Sequence, residues 1–274
     1  KQMQALGPCH ACGAASEAGG VASEDALKKV RAVLKGATPR LEDVEAAVSK
    51  LHAEGDLFSH PRGYTFAMGA FGRASGWRQA IGLLVEMRLK ALDPDAIIYN
   101  TVISACANGE EWAHALGMLA EMRSWSLEAE LISYSAAVSA CEKGGQWERA
   151  LDVFAEMRDL GLVPDLISFN AAISACEKGA RWERALEMLA EMRTCNLKPN
   201  VISYSAAVSA CEKGEQWEHA LLVLVDMHMA GFKPDVIGYS AAISALGKGG
   251  QWERSLEMLA EMRTCNLKPN VISY

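Results

Sequence analysis

Apolar residues recur along the chain at helical spacing, and the pattern stops and restarts twice in every 35 residues. In the segment 131–165 a first apolar stripe ends before a Gly-Gly pair, which predicts a helix that we call helix A. A second stripe runs from Trp147 to Met157 and closes at Gly161 and Pro164, which predicts helix B. Strict alternation of apolar and polar residues is absent, so strands are not predicted.

This unit repeats with a constant period. Six tryptophans mark it, at Trp77, Trp112, Trp147, Trp182, Trp217 and Trp252. The units are 61–95, 96–130, 131–165, 166–200, 201–235 and 236–270. Two helices of about 12 residues cannot bury their apolar stripes alone, so successive units must stack and share one core. The sequence therefore predicts an all-α fold, an α-solenoid of stacked antiparallel helix pairs.

Small and aromatic residues that recur in each unit indicate how the units pack. Alanine pairs such as Ala136-Ala137 leave room for close approach of helices, while the repeated tryptophan fills space where helix B meets its neighbours. We expect truncation of one buried tryptophan to cost ~3–5 kcal/mol. Cysteines on the apolar side of helix A are expected to be small core residues: Cys106, Cys141, Cys176 and Cys211.

The two ends of the chain depart from the period. Residues 1–23 are rich in Ala, Gly and Ser and are expected to be a flexible lead-in. Residues 24–60 carry two amphipathic helical patterns and are expected to form a divergent helix pair or N-terminal cap. Residues 271–274 restart the repeat and then stop. Because a solenoid normally shields its last apolar face, we expect the chain to be part of a longer protein, or a partner or further repeats to cover that face.

Composition narrows the classes of function. The chain has 274 residues, of which 50% are hydrophobic, and a formal net charge of −7. No apolar run approaches the ~18 residues of a membrane span, and the hydrophobic content is too high for a disordered chain. Because acidic residues outnumber basic ones, the chain has no extended basic surface, and any contact with a nucleic acid must be local.

Chemistry typical of an enzyme is missing from the sequence. The histidines form no metal or nucleophile motif, and no Gly-rich phosphate loop joins a strand to a helix. Cys9 and Cys12 have the spacing of half a zinc site, but no second pair completes it. Glutamates and arginines that recur along helix B indicate a solvated, ion-paired face. We therefore expect no catalytic residues, no metal and no cofactor.

The motif within each unit is specific. In 201–235 it reads Val-Ile-Ser-Tyr-Ser-Ala-Ala-Val-Ser-Ala-Cys-Glu-Lys-Gly, then Gln-Trp-Glu-His-Ala-Leu, then Lys-Pro-Asp. This unit resembles the pentatricopeptide repeat, and its period of 35 residues separates it from the shorter tetratricopeptide repeat. The resemblance covers 61–270 strongly and 24–60 weakly, and it looks like the plain P-type class. It implies a right-handed solenoid that binds single-stranded RNA with one base for each repeat.

The resemblance also implies which side chains meet the RNA bases. In the family, the fifth and the last residue of each unit read the edge of one base. The implied pairs are Thr65 with Asp95, Asn100 with Glu130, Ser135 with Asp165, Asn170 with Asn200, Ser205 with Asp235 and Ser240 with Asn270. By the family's rule these pairs imply the site 5′-GNGCGA-3′. N marks the base of the second pair, which departs from the family pattern and stays unassigned.

Two further rows of side chains are implied by the same resemblance. The aliphatic second residue of each unit would pack against the face of a base: Ile97, Ile132, Ile167, Ile202 and Ile237, with Arg62 departing in the first unit. A cation at the end of helix A would contact phosphate: Arg73, Lys143, Lys178, Lys213 and Lys248. This row supplies positive charge locally, while carboxylates of helix B account for the acidic total.

Each of these positions also has a purely structural interpretation. The polar positions are candidates for helix caps, as at Asn100, Ser135 and Asn170, or for turns after proline, as at Asp165 and Asn200. Each lysine is a candidate to complement a helix dipole, and the isoleucines suit a solenoid core.

The sequence leaves two candidate functions. One is an organellar protein for RNA processing, stability, editing or translation, with the chloroplast favoured over the mitochondrion, and the other is a protein-binding scaffold.

Overall fold

The computed structural model describes residues 39–54, 61–265 and 267–268, together with the single residues 32 and 36. Thirteen helices lie in these ranges, beginning with α1 (Leu41–Glu54). Six are helix A segments: α2 (Pro61–Arg73), α4 (Ala96–Asn108), α6 (Leu131–Lys143), α8 (Leu166–Lys178), α10 (Val201–Lys213) and α12 (Val236–Lys248). Six are helix B segments: α3 (Trp77–Leu89), α5 (Trp112–Ser124), α7 (Trp147–Asp159), α9 (Trp182–Thr194), α11 (Trp217–Met229) and α13 (Trp252–Thr264).

Helix A begins at a polar residue that closes the preceding unit. The side chain of Asp95 accepts a hydrogen bond from the backbone N–H of Ile98 at 2.9 Å. The side chains of Asp165, Asn200 and Asp235 accept the equivalent bond in later units. Such a cap satisfies one of the backbone donors that the first turn of a helix leaves without a partner. In these four units the side chain of the last residue therefore stabilises the start of the next helix A.

The helices form two layers. Successive A helices approach one another closely through their backbones, as do helices A and B within a unit. In the described part of the chain no comparable approach joins one B helix to the next. The A layer is therefore the more tightly spaced of the two. The described residues contain no strand, and the fold is the helical-repeat solenoid that the period predicts.

A continuous core runs between the two layers. Its largest fully buried side chains include the aromatic residue at the fourth position of every helix A. Phe154 of α7 meets Phe169 of α8 edge-on, with ring centroids 5.2 Å apart. The four periodic cysteines are buried, as expected. Burial raises the pKa of Cys106 to about 12 and that of Cys176 to about 11. These thiols are therefore uncharged at neutral pH and behave as small apolar residues.

The periodic tryptophans pack against the glycine that follows the next helix A. A Cβ atom built on Gly179 would lie 2.5 Å from Trp147 Cδ2, and four equivalent glycines show the same conflict. Glycine recurs there because the indole ring takes the space of a side chain. The rings from Trp77 to Trp217 are only half-buried. The expected loss of ~3–5 kcal/mol in unfolding free energy applies to a fully buried ring. We therefore expect truncation of one of these half-buried tryptophans to cost less.

Ion pairs join the B helices of successive units. Arg88 contacts Glu121 at 2.6 Å, and Arg193 contacts Asp226 at 3.0 Å. The guanidinium of Arg193 also donates to the hydroxyl of Tyr204 at 3.2 Å. The expected ion-paired face of helix B is thus built largely between units. Each pair is partly exposed and contributes little alone, but the series links the first five units in succession.

The ends of the chain are described only in part. Helix α1 is the second of the two helices expected in 24–60, and the first lies almost entirely outside the described residues. The expected lead-in at 1–23 and the restart at 271–274 also lie outside them. Among the helices that are described, none has the length and apolar character needed to cross a membrane. In the same residues, no group of three or more His, Cys, Asp or Glu side chains is placed to hold a metal ion.

Candidate nucleic-acid interface

The fifth and last residues of a unit meet at one edge of the A layer. The last residue is the N-cap of the next helix A, and the fifth residue opens the second turn of its own helix A. Three implied pairs lie within hydrogen-bonding distance: Ser205–Asp235 at 2.8 Å, Ser135–Asp165 at 3.4 Å and Asn170–Asn200 at 3.5 Å. Close packing of successive A helices therefore brings together side chains 30 positions apart in the chain.

The pair of the first unit is arranged differently, and only one member of the last pair is described. Thr65 Oγ1 donates to a backbone carbonyl of its own helix at 3.2 Å, while Asp95 caps the next helix. Ser240 is buried at the position equivalent to Ser205. Its implied partner, Asn270, lies outside the described residues.

The capping interpretation of the fifth position is wrong, and four of the residues that close a unit cap the next helix A instead. Asp165 and Asn200 are N-caps, and each forms a capping box with the residue three positions later. Asn100, Ser135 and Asn170 lie inside helix A and do not cap it. Capping therefore explains why a polar residue closes a unit, but it gives no reason for a polar residue at the fifth position.

A third polar position joins these pairs, and sequence reasoning missed it. The third residue of helix A is a serine in three units, Ser133, Ser168 and Ser203, and all three are fully buried. Ser133 Oγ donates to Asn100 Oδ1 at 2.6 Å. Asn100 belongs to the second unit, whose last residue, Glu130, is exposed and makes no capping bond. The signal available in the sequence was a serine three residues after an Asp or Asn, which is typical of a reciprocal cap.

The second residue of helix A is an exposed isoleucine in five successive units. The exposed fractions lie between 60% and 63% for Ile97, Ile132, Ile167, Ile202 and Ile237. The interpretation that these residues belong to the solenoid core is therefore wrong. In the first unit Arg62 occupies this position and is also exposed. The A layer thus presents a row of large apolar side chains to solvent, one from each unit after the first.

A groove between two isoleucines shows the arrangement in detail. Ile97 and Ile132 line a cavity of about 370 Å³ that also contains Asn100 of the reading pair and Arg73 of the cation row. Apolar faces, a polar side chain and a cation therefore meet in one groove. This combination can hold a flat, partly polar group attached to an anionic backbone.

The cations at the end of helix A are paired with the preceding unit. Lys213 contacts Glu177 at 2.9 Å and Lys248 contacts Glu212 at 2.6 Å. Lys178 pairs in the same way with Glu142, at 2.8 Å. The other two cations bond neutral oxygens, since Lys143 donates to Asn108 Oδ1 at 3.1 Å and Arg73 Nε donates to the Gly36 carbonyl at 3.1 Å. The expected row of cations therefore exists, but carboxylates of the A layer partly neutralise it.

Family models of the pentatricopeptide repeat match the chain from 97 to 274 without interruption. The model described as PPR repeat family matches 164–213, the Pentatricopeptide repeat domain matches 117–179 and 222–274, and the PPR repeat matches 97–127 and 202–232. No curated protein sequence matches the chain at a significant level.

Several solved structures are similar to the chain. The PPR domain of Arabidopsis thaliana protein-only RNase P 1, in complex with tRNA, has a TM-score of 0.58 at 17% identity, covering 66% of this chain and 95% of that domain. Arabidopsis thaliana nuclear protein-only RNase P 2 has a TM-score of 0.56 at 15% identity, covering 63% of this chain and 38% of that one. PPR10 in complex with an 18-nucleotide psaJ RNA element has a TM-score of 0.43 at 18% identity and covers 89% of this chain, which spans 46% of PPR10. At these identities the likeness concerns the fold alone.

Proposed function

Since the chain belongs to the pentatricopeptide repeat family, we propose that it binds single-stranded RNA and that each unit of its solenoid reads one base. The observation that carries the proposal is the row of exposed isoleucines. A solvated surface has no need of a large apolar residue at the same position in five consecutive units. A strand of unpaired bases is a partner that covers such residues one at a time, because every base has an apolar face.

The reading step combines stacking with hydrogen bonding. A base that enters the groove beside Asn100 lies between Ile97 and Ile132, which belong to consecutive units. Its edge then faces the polar pair, where carboxylate, amide and hydroxyl groups can match its donors and acceptors. The order of pairs gives the proposed site 5′-GNGCGA-3′. One stacked base contributes ~1–3 kcal/mol, so a run of units supplies the affinity.

Phosphate contacts come from the end of each helix A. In three units the lysine is held by a glutamate of the preceding unit, as Lys213 is held by Glu177. An RNA phosphate must therefore share or displace that carboxylate. This competition keeps non-specific electrostatic binding weak and leaves base contacts to decide the affinity.

The proposed cellular role follows from the family. PPR family proteins are typically organellar, and we propose that this chain protects, processes or guides the editing or translation of an organellar transcript, with the chloroplast as the favoured compartment. The proposed action is binding alone, by plain P-type repeats. A solenoid bound along a single strand blocks nucleases and keeps the RNA unpaired.

A protein-binding scaffold is the second candidate function. Residues 187–204 and 257–274 are identical, which is typical of recent duplication without tuning of each unit to a base. Leu222, Val225 and Met229 of α11 are exposed on the B layer, where the equivalent residues of α9 are Glu187, Ala190 and Thr194. These apolar residues are the part of the surface that best suits a protein partner.

Binding to short RNAs tests the proposal. The chain is titrated with labelled 5′-GUGCGA-3′ RNA, with a scrambled RNA of the same composition and with the duplex form of the site, each at several salt concentrations. We expect the single-stranded site to bind at least about tenfold more tightly than the scrambled strand, because several units then lose matched base contacts. Equal, weak binding of both single strands would favour the scaffold.

A further inference from the structure

We propose that the third residue of each helix A positions the reading pair of the preceding unit and sets how strongly that unit discriminates between bases. The inference rests on the proposed function, since it assigns a role within the same RNA site. It concerns Ser168, Ser203 and Gly238, which follow the reading pairs of the third, fourth and fifth units. These residues are buried, and the serines act through the reading residues to which they bond.

In the fourth unit the serine fixes the orientation of an amide. Ser203 Oγ lies 2.5 Å from Asn170 Oδ1 and 3.0 Å from Asn200 Oδ1, and it accepts a hydrogen bond from the backbone N–H of Asn200. A serine has one proton to donate, and the closer acceptor is Asn170. With its oxygen held in this way, Asn170 directs its NH2 group away from Ser203, and Nδ2 lies 3.5 Å from Asn200. A fixed donor is what allows an asparagine to select among bases, because an amide that flips presents either a donor or an acceptor.

In the third unit the serine lies between the members of the pair. Ser168 Oγ donates to Asp165 Oδ1 and lies 3.0 Å from Ser135 Oγ. The direct distance between Ser135 Oγ and Asp165 Oδ1 is 3.4 Å, and Ser135 has a closer acceptor in the Leu131 carbonyl at 2.7 Å. The hydroxyl of Ser168 therefore occupies the Asp165 oxygen that would otherwise draw in Ser135. The direct bond between the two reading side chains therefore stays long, at 3.4 Å.

The fifth unit has the same reading pair without this hydroxyl. Gly238 stands at the third position, and Ser205 Oγ donates directly to Asp235 Oδ1 at 2.8 Å. A base must therefore break or share a direct bond between its two reading groups in this unit. Both units imply G, so the chain contains two sites with equal pairs and a different third residue. We expect the third unit to discriminate more strongly than the fifth.

Conversion of one arrangement into the other requires the reading side chains to shift by a few tenths of an ångström. A Cβ atom built on Gly238 would lie 3.3 Å from Ser205 Oγ and 3.4 Å from Asp235 Oδ1. A hydroxyl on that carbon would lie near both reading groups, as that of Ser168 does in the third unit. Serine also favours a helix more than glycine does, so Gly238→Ser is expected to leave the fold intact.

The experiment measures base preference one position at a time. Wild type, Ser203→Ala and Gly238→Ser are titrated with 5′-GUGCGA-3′ RNA and with RNAs that carry one substitution at the third, fourth or fifth base. We expect Ser203→Ala to reduce preference at the fourth base by about fivefold, the ratio produced by one ordinary hydrogen bond, with the other two preferences unchanged. We expect Gly238→Ser to raise preference at the fifth base toward that at the third.

The outcomes separate the inference from the function on which it rests. If the wild type shows no preference at any base, the proposed function fails. If the wild type discriminates and both variants keep its pattern, the positioning role is wrong. A merely structural role for Ser203 would lower the melting temperature and weaken all RNAs equally, without changing preference at one base. Ser168→Ala serves as the matched variant, and its effect should appear at the third base only.

Discussion

The two surfaces of the solenoid differ in what they leave exposed. The A layer presents an isoleucine from every unit after the first, beside a polar pair that varies between units. The B layer presents ion pairs that join one unit to the next, such as Arg158 with Glu191 at 2.7 Å. A charged outer surface needs no partner, whereas a regular apolar row is expected to have one. We infer from this difference that the A layer is the RNA-binding surface of the proposed function and that the ion pairs of the B layer help to hold the stack together.

The core shared by both layers should respond to mutation more strongly than either surface. Phe154 is 2% exposed, and we expect Phe154→Ala to lower the free energy of unfolding by about 3–5 kcal/mol because it removes a large buried ring. Urea denaturation followed by circular dichroism measures this loss. The change should weaken all RNAs in parallel through loss of folded protein, and a selective change at one base would contradict the division between core and surface.

The isoleucine row provides the most direct contrast between the two surfaces. Ile167 on the A layer and Leu222 on the B layer are both 63% exposed. We expect Ile167→Ala to weaken RNA binding by about 1–2 kcal/mol, because a base that covers the isoleucine removes its apolar surface from water. Leu222→Ala is the matched control, because it removes an apolar side chain of equal exposure from the opposite surface.

Neither change should alter the melting temperature appreciably, since both side chains are largely in solvent. Calorimetric titration with 5′-GUGCGA-3′ RNA distinguishes the two variants. Equal affinities for both would mean that the isoleucine row does not contact RNA.

The lysine row should have a smaller effect, visible mainly in the dependence on salt. We expect Lys213→Ala to reduce the slope of log K against log salt by about 0.7, the value for one phosphate contact with a single strand. Glu177→Gln should raise affinity, because Lys213 then no longer shares its charge with a carboxylate. Arg184→Ala is the control on the B layer, where Arg184 pairs with Glu187 of its own helix. An unchanged slope for Lys213→Ala would remove this residue from the interface.

Spacing alone predicts the fold and the recurrence of equivalent residues in rows, while the resemblance to the pentatricopeptide repeat implies which rows would contact RNA. A period of 35 residues places equivalent residues at equivalent points of every unit, so Ile167 and Ile202 must occupy the same kind of environment. Spacing does not reveal whether that environment is core or solvent. The structure decides this, since the aromatic residue at the fourth position, and not the isoleucine, fills the core.

Contacts between units could not be predicted from spacing. Lys213 meets Glu177, 36 residues earlier in the chain, because helix A of one unit lies beside the end of the previous helix A. The offset of one repeat plus one residue follows from how two helices stack, which no single unit encodes. The contact between Ser203 and Asn170, 33 residues apart, escaped prediction for the same reason.

Exchange of one reading residue tests the central claim most directly. Asp165→Asn converts the third pair into the serine and asparagine pair implied for A, and an asparagine N-cap is already present at Asn200, so the helix start is preserved. Selection from a pool of randomised RNAs compares the preferred sites of wild type and variant. We predict that G changes to A at the third base and that every other position is unchanged. An unchanged third base, or a change at several positions at once, would contradict the reading of one base by each unit.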